Sequence, residues 1–139
     1  MLNWIIHKWN AWKKNKIRIC ITLAGLIIGG VAYWFQPYNQ STVLGINMYL
    51  IMSIGAFFAS FLFKFFGNEK SPKIAMLVSL GIALAVLARI IYDTTFYDSS
   101  SHNLAPFEII ICGIVTIPSA FAGTYLGLLV KKVKKQANK

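Results

Sequence analysis

Four long apolar stretches separated by short polar segments dominate the pattern of this 139-residue chain. Each stretch is close to the roughly 20 residues that a helix needs to cross the hydrocarbon core of a bilayer. The intervening segments contain Gly, Pro, Asn or Ser, which are typical of turns. The pattern therefore predicts an all-α integral membrane protein, a bundle of four transmembrane helices. The predicted spans are residues 17–36, 43–65, 74–95 and 106–130.

The segment before the first span, residues 1–15, has a different pattern. Its apolar residues recur at helical spacing, while lysine, asparagine and His7 take the other face. This arrangement predicts an amphipathic helix that lies in the membrane interface. A cleaved signal peptide is the alternative, but the apolar run is followed by Trp34, Phe35, Gln36 and Pro37 rather than by small cleavage-site residues.

Composition supports a lipid environment for the whole chain. Hydrophobic residues make up 57% of the sequence and charged residues 13%, with a mean hydropathy of +0.61. Soluble domains have about a quarter charged residues. The sequence contains no long linker or repeat, so residues 1–139 are predicted to form a single membrane domain.

The positive charges predict the orientation in the membrane. Thirteen of the fourteen Lys and Arg residues lie before or at the start of the first span, in the turn after the second, or in the basic tail 131–139. Four spans place these three regions on one face, which the positive-inside rule makes cytoplasmic. Both termini are therefore predicted to be cytoplasmic in the cell membrane. The expected partners of this face are anionic lipid headgroups, and nucleic acid is not expected because no groove-reading motif is present.

Polar residues between the third and fourth spans form the candidate ligand or partner site, here called the rim cluster and predicted on the outer face. Ionisable residues at membrane depth are functional candidates by default. Arg89 lies four residues before Asp93, the spacing of neighbours on one helix face, and Glu108 is the other candidate carboxylate partner. Because a buried arginine needs such a partner, Arg89→Ala is expected to lower folded yield more than Lys64→Ala. The rim cluster consists of Arg89, Asp93, Asp98, His102, Asn103 and Glu108.

Several of these residues also have a purely structural explanation. Asn103 suits a helix cap, Pro106 and Glu108 suit a first helical turn, and Asp98 suits a solvated turn. Alternatively, Asp98, His102 and Glu108 have the donor atoms to bind a divalent metal or to transfer a proton. Their spacing matches no metal or catalytic signature, so no cofactor and no catalytic residue is predicted, and the question of a metal stays open.

Small residues at steps of four predict where helices approach closely. Gly25 and Gly29 form a GxxxG step in the first span, and comparable residues occur in the other three. Such steps support helix packing in general, and association into a homo-oligomer or a larger membrane complex is the alternative use. The predicted packing residues are Gly25, Gly29, Gly55, Ala59, Gly81, Ala85, Ser119, Gly123 and Gly127.

The best-supported function from sequence is a non-enzymatic accessory or interaction protein of the cytoplasmic membrane. One alternative is an oligomeric transporter or channel subunit. No acidic residue lies at mid-depth of a predicted span for ion coupling, which leaves a neutral pore lined by Asn47, Thr116 and Ser119. The other alternative is a membrane enzyme or metal-binding protein that uses the rim cluster, although no nucleophile is evident.

Overall fold

Four helices form most of the chain in the computed structural model, which describes residues 2–34, 42–43, 45–97 and 105–137. The side chains of residues 2–13 and of Val43 are outside this description. Each helix contains a stretch long and apolar enough to cross a membrane. This confirms the prediction of an all-α chain with four candidate spans. The described elements are α1 (Leu2–Tyr33), β1 (Thr42–Val43), β2 (Ile46–Asn47), α2 (Met48–Phe66), α3 (Ser71–Phe96) and α4 (Ala105–Ala137).

Helix α1 is continuous where the sequence suggested two separate units, residues 1–15 and 17–36. Its candidate span begins at Lys14, and the backbone helix reaches back to Leu2. The residues at the junction include neither Gly nor Pro, and lysine and arginine are good helix formers. The basic segment is therefore an extension of the first apolar helix. The predicted amphipathic character of this segment depends on side chains that lie outside the described residues, so it stays a prediction.

Helix α2 begins later than the predicted start at residue 43. Thr42–Val43 pairs with Ile46–Asn47 as a small antiparallel hairpin, and Gly45 has φ +82°. Asn47 then caps α2, because its side-chain oxygen accepts a hydrogen bond from the Tyr49 N–H at 2.9 Å. Positive φ favours glycine, and asparagine is among the best N-cap residues. The helix begins five residues after the start of the predicted span, because the apolar residues of this hairpin resemble the first turn of a span.

The helices do not pack in sequence order. α1 packs mainly against α3, α2 packs mainly against α4, and α3 also contacts α4. Around the bundle the order is therefore α1, α3, α4, α2. α3 is the most buried of the four and contributes Val78, Ile82 and Val86 to the core, where Met52 and Ala120 from the other pair also lie.

The predicted small residues lie at helix contacts within this single chain. A Cβ atom added at Gly25 or Gly81 would clash with the facing helix backbone, and one added at Gly29 would lie 2.8 Å from the Ala85 Cβ. At Gly123 it would overlap the backbone of α2. The remaining contacts join Gly127 to Phe61 and Lys64, Gly55 to Ile28, Ser119 to Ser53, and Ala59 to the core.

The outward faces of the helices are apolar as well. Large hydrophobic side chains are exposed at steps of about four along each helix, so they form a belt around the bundle. A water-soluble bundle would present charged and polar residues there. The belt includes Ile19, Leu23, Ile27, Leu50, Ile54, Phe58, Leu62, Met76, Leu80, Leu84, Ile110, Ile114, Tyr125 and Leu129.

Candidate functional site

The centre of the described rim cluster is the ion pair between Arg89 and Asp93. The Arg89 Nε donates a hydrogen bond to the Asp93 Oδ2 at 2.7 Å, one helical turn along α3. Asp93 is buried, with 4% of its surface exposed, and Arg89 is half-buried. The pairing expected from the spacing of four is confirmed. Both charges are thus placed against the bundle rather than in open solvent.

Arg89 also joins α3 to the end of α1. Its Nη1 donates a hydrogen bond to the backbone carbonyl of Trp34 at 2.7 Å, and its guanidinium carbon lies 5.9 Å from the centroid of the Trp34 ring. The Trp34 indole N–H donates in turn to the Ala85 carbonyl at 3.2 Å. A guanidinium can bond to a carboxylate and a carbonyl at once because it has five N–H donors in one plane. This side chain therefore acts as a cap for the last turn of α1.

Glu108 connects a third helix to the same region. It lies in the first turn of α4 and accepts a hydrogen bond from the hydroxyl of Tyr33, near the end of α1. A carboxylate is favoured at that position by the positive end of the helix dipole. The contact between α1 and α4 has no local sequence signal, because the two residues are 75 positions apart. Tyr33 and Trp34 were therefore not predicted from the sequence as members of the site.

Asp98, His102 and Asn103 lie outside the described residues, so their approach to Arg89 stays a prediction. Within the described part of the chain, no three His, Cys, Asp or Glu side chains come together as a metal site would require. The described members of the rim cluster instead connect α1, α3 and α4. Chemically, these hydrogen bonds fix the positions of the Arg89 guanidinium and of the Asp93 and Glu108 carboxylates.

The bundle has a second charged cluster at its other end, here called the basic-end cluster and made of Arg18, Lys64, Glu69 and Lys131. The Lys64 Nζ donates to the Glu69 backbone carbonyl at 2.7 Å, and the Arg18 Nε lies 3.7 Å from the Glu69 Oε1. The Lys131 Nζ donates to the Gly67 carbonyl at 2.6 Å and to the Asn68 Oδ1 at 2.8 Å. These contacts connect α1, α2 and α4 around the turn before α3. Lys64 is buried, and no signal in the sequence predicted this.

The three residues proposed for a neutral pore all make hydrogen bonds within or between helices. Asn47 caps α2, and the Thr116 hydroxyl donates to the Cys112 carbonyl at 2.7 Å. Ser119 bonds with Ser53 across the contact between α2 and α4, their hydroxyl oxygens 2.6 Å apart. Such hydroxyl contacts stabilise helix association in lipid. Their geometry favours a packing role for these residues.

Comparison with known proteins does not add a function. No family model, curated protein or solved structure matches the chain.

Proposed function

We propose that this chain is a multi-pass protein of the cytoplasmic membrane that serves as a non-enzymatic accessory or interaction protein. The observation that carries the membrane part is the apolar belt, which surrounds a bundle whose interior is also apolar. Burial of that belt in lipid removes from water the large hydrophobic side chains that the fold leaves outside.

The proposed orientation places the basic-end cluster and both termini in the cytoplasm. Among the side chains that the structure describes, Lys and Arg are concentrated at one end of the bundle, and Arg89 is the exception at the other. The positive-inside rule assigns the end with more Lys and Arg to the cytoplasm. The rim cluster then faces the outside of the cell, and anionic headgroups contact the lysines.

The interaction role is supported by the contacts of the described charged groups, which lie within the chain. Arg89, Asp93 and Glu108 stabilise contacts between helices, and the glycine steps are occupied by packing within the chain. The surface left for contact with other molecules is the apolar belt, which is suited to lipid or to another membrane protein.

Cysteine accessibility tests the orientation. Cys20 and Cys112 are both free thiols and are first replaced by alanine to give a silent background. A single cysteine at Ser100 is expected to react with an impermeant maleimide in intact cells, whereas one at Lys139 is expected to react only after lysis. The reverse labelling pattern would contradict the proposed orientation.

Site-specific photo-crosslinking tests the interaction role. A photoreactive residue is placed on each helix in turn at an exposed belt position: Leu23, Phe58, Leu84 or Tyr125. Buried Met52 serves as the control. A partner protein is expected to crosslink from one or two of the four exposed positions. Lipid adducts alone at all four positions would overturn the interaction role without affecting the membrane assignment.

A further inference from the structure

An open cleft between α1 and α3 lies at the basic end of the bundle. It has a volume of about 280 Å³ and is lined by Arg18 from α1 and by Lys73, Met76 and Leu77 from α3. Lys73 is in the first turn of α3, and Met76 and Leu77 lie one turn further along the helix. The cleft is therefore lined by two cations and by an apolar wall of Met76 and Leu77.

We propose that this cleft binds the headgroup of one anionic phospholipid, with the phosphate between Arg18 and Lys73 and the start of an acyl chain along Met76 and Leu77. The inference rests on the proposed membrane insertion and adds a specific lipid site to it. Arginine binds phosphate through paired N–H donors, and lysine binds it as a point charge. The apolar wall favours a lipid over a free phosphate ion, which has no hydrocarbon to place there.

The local balance of charge also favours an anionic ligand. Among the described side chains at the basic end, Glu69 is the one carboxylate. Its Oε1 forms an ion pair with the Arg18 Nε at 3.7 Å, which is longer than a direct hydrogen bond. Its single negative charge also lies near the ammonium of Lys64, which donates to the Glu69 backbone carbonyl. Glu69 therefore compensates the nearby cations only in part.

The position of Lys73 at the start of α3 is a second reason to expect an anionic ligand. The first turn of α3, which is described in full, contains no acidic residue, and the N-cap residue Lys70 makes no side-chain capping bond. A cation at this end of a helix is disfavoured by the helix dipole. A phosphate held between Lys73 and Arg18 would offset both the dipole and the repulsion between the two cations.

The test compares lipid retention by the wild type, a cleft variant and a charge-matched control. The cleft variant is Arg18→Gln with Lys73→Gln, and Lys73→Gln alone keeps the contact between Arg18 and Glu69. The control is Lys132→Gln with Lys135→Gln, which removes the same charge from exposed positions on α4. Each protein is reconstituted in nanodiscs of equal phosphatidylglycerol and phosphatidylcholine, extracted into mild detergent and examined by native mass spectrometry.

The wild type and the control are expected to retain one phosphatidylglycerol in preference to phosphatidylcholine. Retention should fall on the order of tenfold in the double cleft variant, and by a smaller factor in Lys73→Gln. Equal loss in the cleft variant and the control would overturn the proposal, because it would assign binding to the basic surface as a whole. Displacement of the lipid by millimolar inorganic phosphate would also overturn it, in favour of a free-anion site. Failure of the wild type to enter nanodiscs would instead contradict the proposed membrane insertion.

Discussion

Gly25 of α1 and Gly81 of α3 face each other where the backbones of the two helices come into contact. A Cβ atom built on Gly25 would lie 3.2 Å from the Gly81 Cα, and one built on Gly81 would lie 3.0 Å from the Gly25 Cα. Each added atom would also meet a backbone carbonyl of the opposite helix. Because van der Waals contact is a main source of helix association in lipid, this approach is expected to contribute strongly to stability.

Substitution of either glycine by alanine should destabilise the bundle. We expect Gly25→Ala or Gly81→Ala to lower the free energy of unfolding by about 1–3 kcal/mol, since the facing backbone has to move. Gly30→Ala on the same helix is the control, because no atom lies within 4 Å of its added Cβ. That control should be neutral or up to about 1 kcal/mol more stable, as alanine is the better helix former. Unfolding in mixed micelles with increasing sodium dodecyl sulfate measures the difference, and equal effects of Gly25→Ala and Gly30→Ala would contradict it.

A double-mutant cycle tests the ion pair in the rim cluster. Arg89→Gln and Asp93→Asn should each lower stability by about 1.5–3 kcal/mol, the usual contribution of a hydrogen bond to a charged group. The double variant should lose clearly less than the sum, because each single change leaves the partner's charge in place. Strict additivity in the same unfolding assay would show that the two side chains do not depend on each other.

The contact between Tyr33 and Glu108 can be tested by removing the Tyr33 hydroxyl, with a second tyrosine as the control. Tyr33→Phe removes only the hydroxyl that donates to Glu108, and we expect it to lower stability by about 1–3 kcal/mol. Tyr125→Phe is the control, since Tyr125 is exposed on the outside of α4. Glu108→Gln in the Tyr33→Phe background should then have a smaller effect than in the wild type. An equal response to both phenylalanine substitutions would argue against a specific contact at the end of α1.

Replacement of Lys64 should lower stability about as much as replacement of Arg89, whereas the sequence predicted a larger loss of folded yield for Arg89→Ala than for Lys64→Ala. Its ammonium group is buried and bonded to the Glu69 carbonyl. Lys64→Met keeps much of the stem and removes the charge, and we expect a loss of about 1.5–3 kcal/mol. Lys132→Met, at an exposed lysine, should change stability by less than about 0.5 kcal/mol. Comparable unfolding curves for the two variants would mean that the Lys64 bond contributes little.

The sequence was sufficient for features that depend on neighbours along one helix. The length and apolarity of the four stretches predicted four candidate spans, and the spacing of four predicted the pair between Arg89 and Asp93. Both inferences need only the geometry of a single helix.

Features that depend on helix arrangement could not be obtained in this way. Tyr33 meets Glu108, and Arg89 meets the carbonyl of Trp34, only because the end of α1 lies beside α3 and α4. The burial of Lys64 likewise follows from how the turn before α3 folds back on α2. The late start of α2 depended on Gly45 and Asn47, whose turn and capping roles were hidden within an apolar run.

The pairing of α1 with α3 and of α2 with α4 has a consequence for biosynthesis. When the ribosome has produced only the first two helices, neither has yet met its main partner, and the few contacts between them offer little to hold them together. Until α3 has been made, α1 lacks the helix against which it mainly packs, and α2 lacks its main partner until α4 has been made. The pairing of α2 with α4 can form only after α4 has been made, so a chain that stops before α4 is expected to lack the part of the core to which Ala120 belongs.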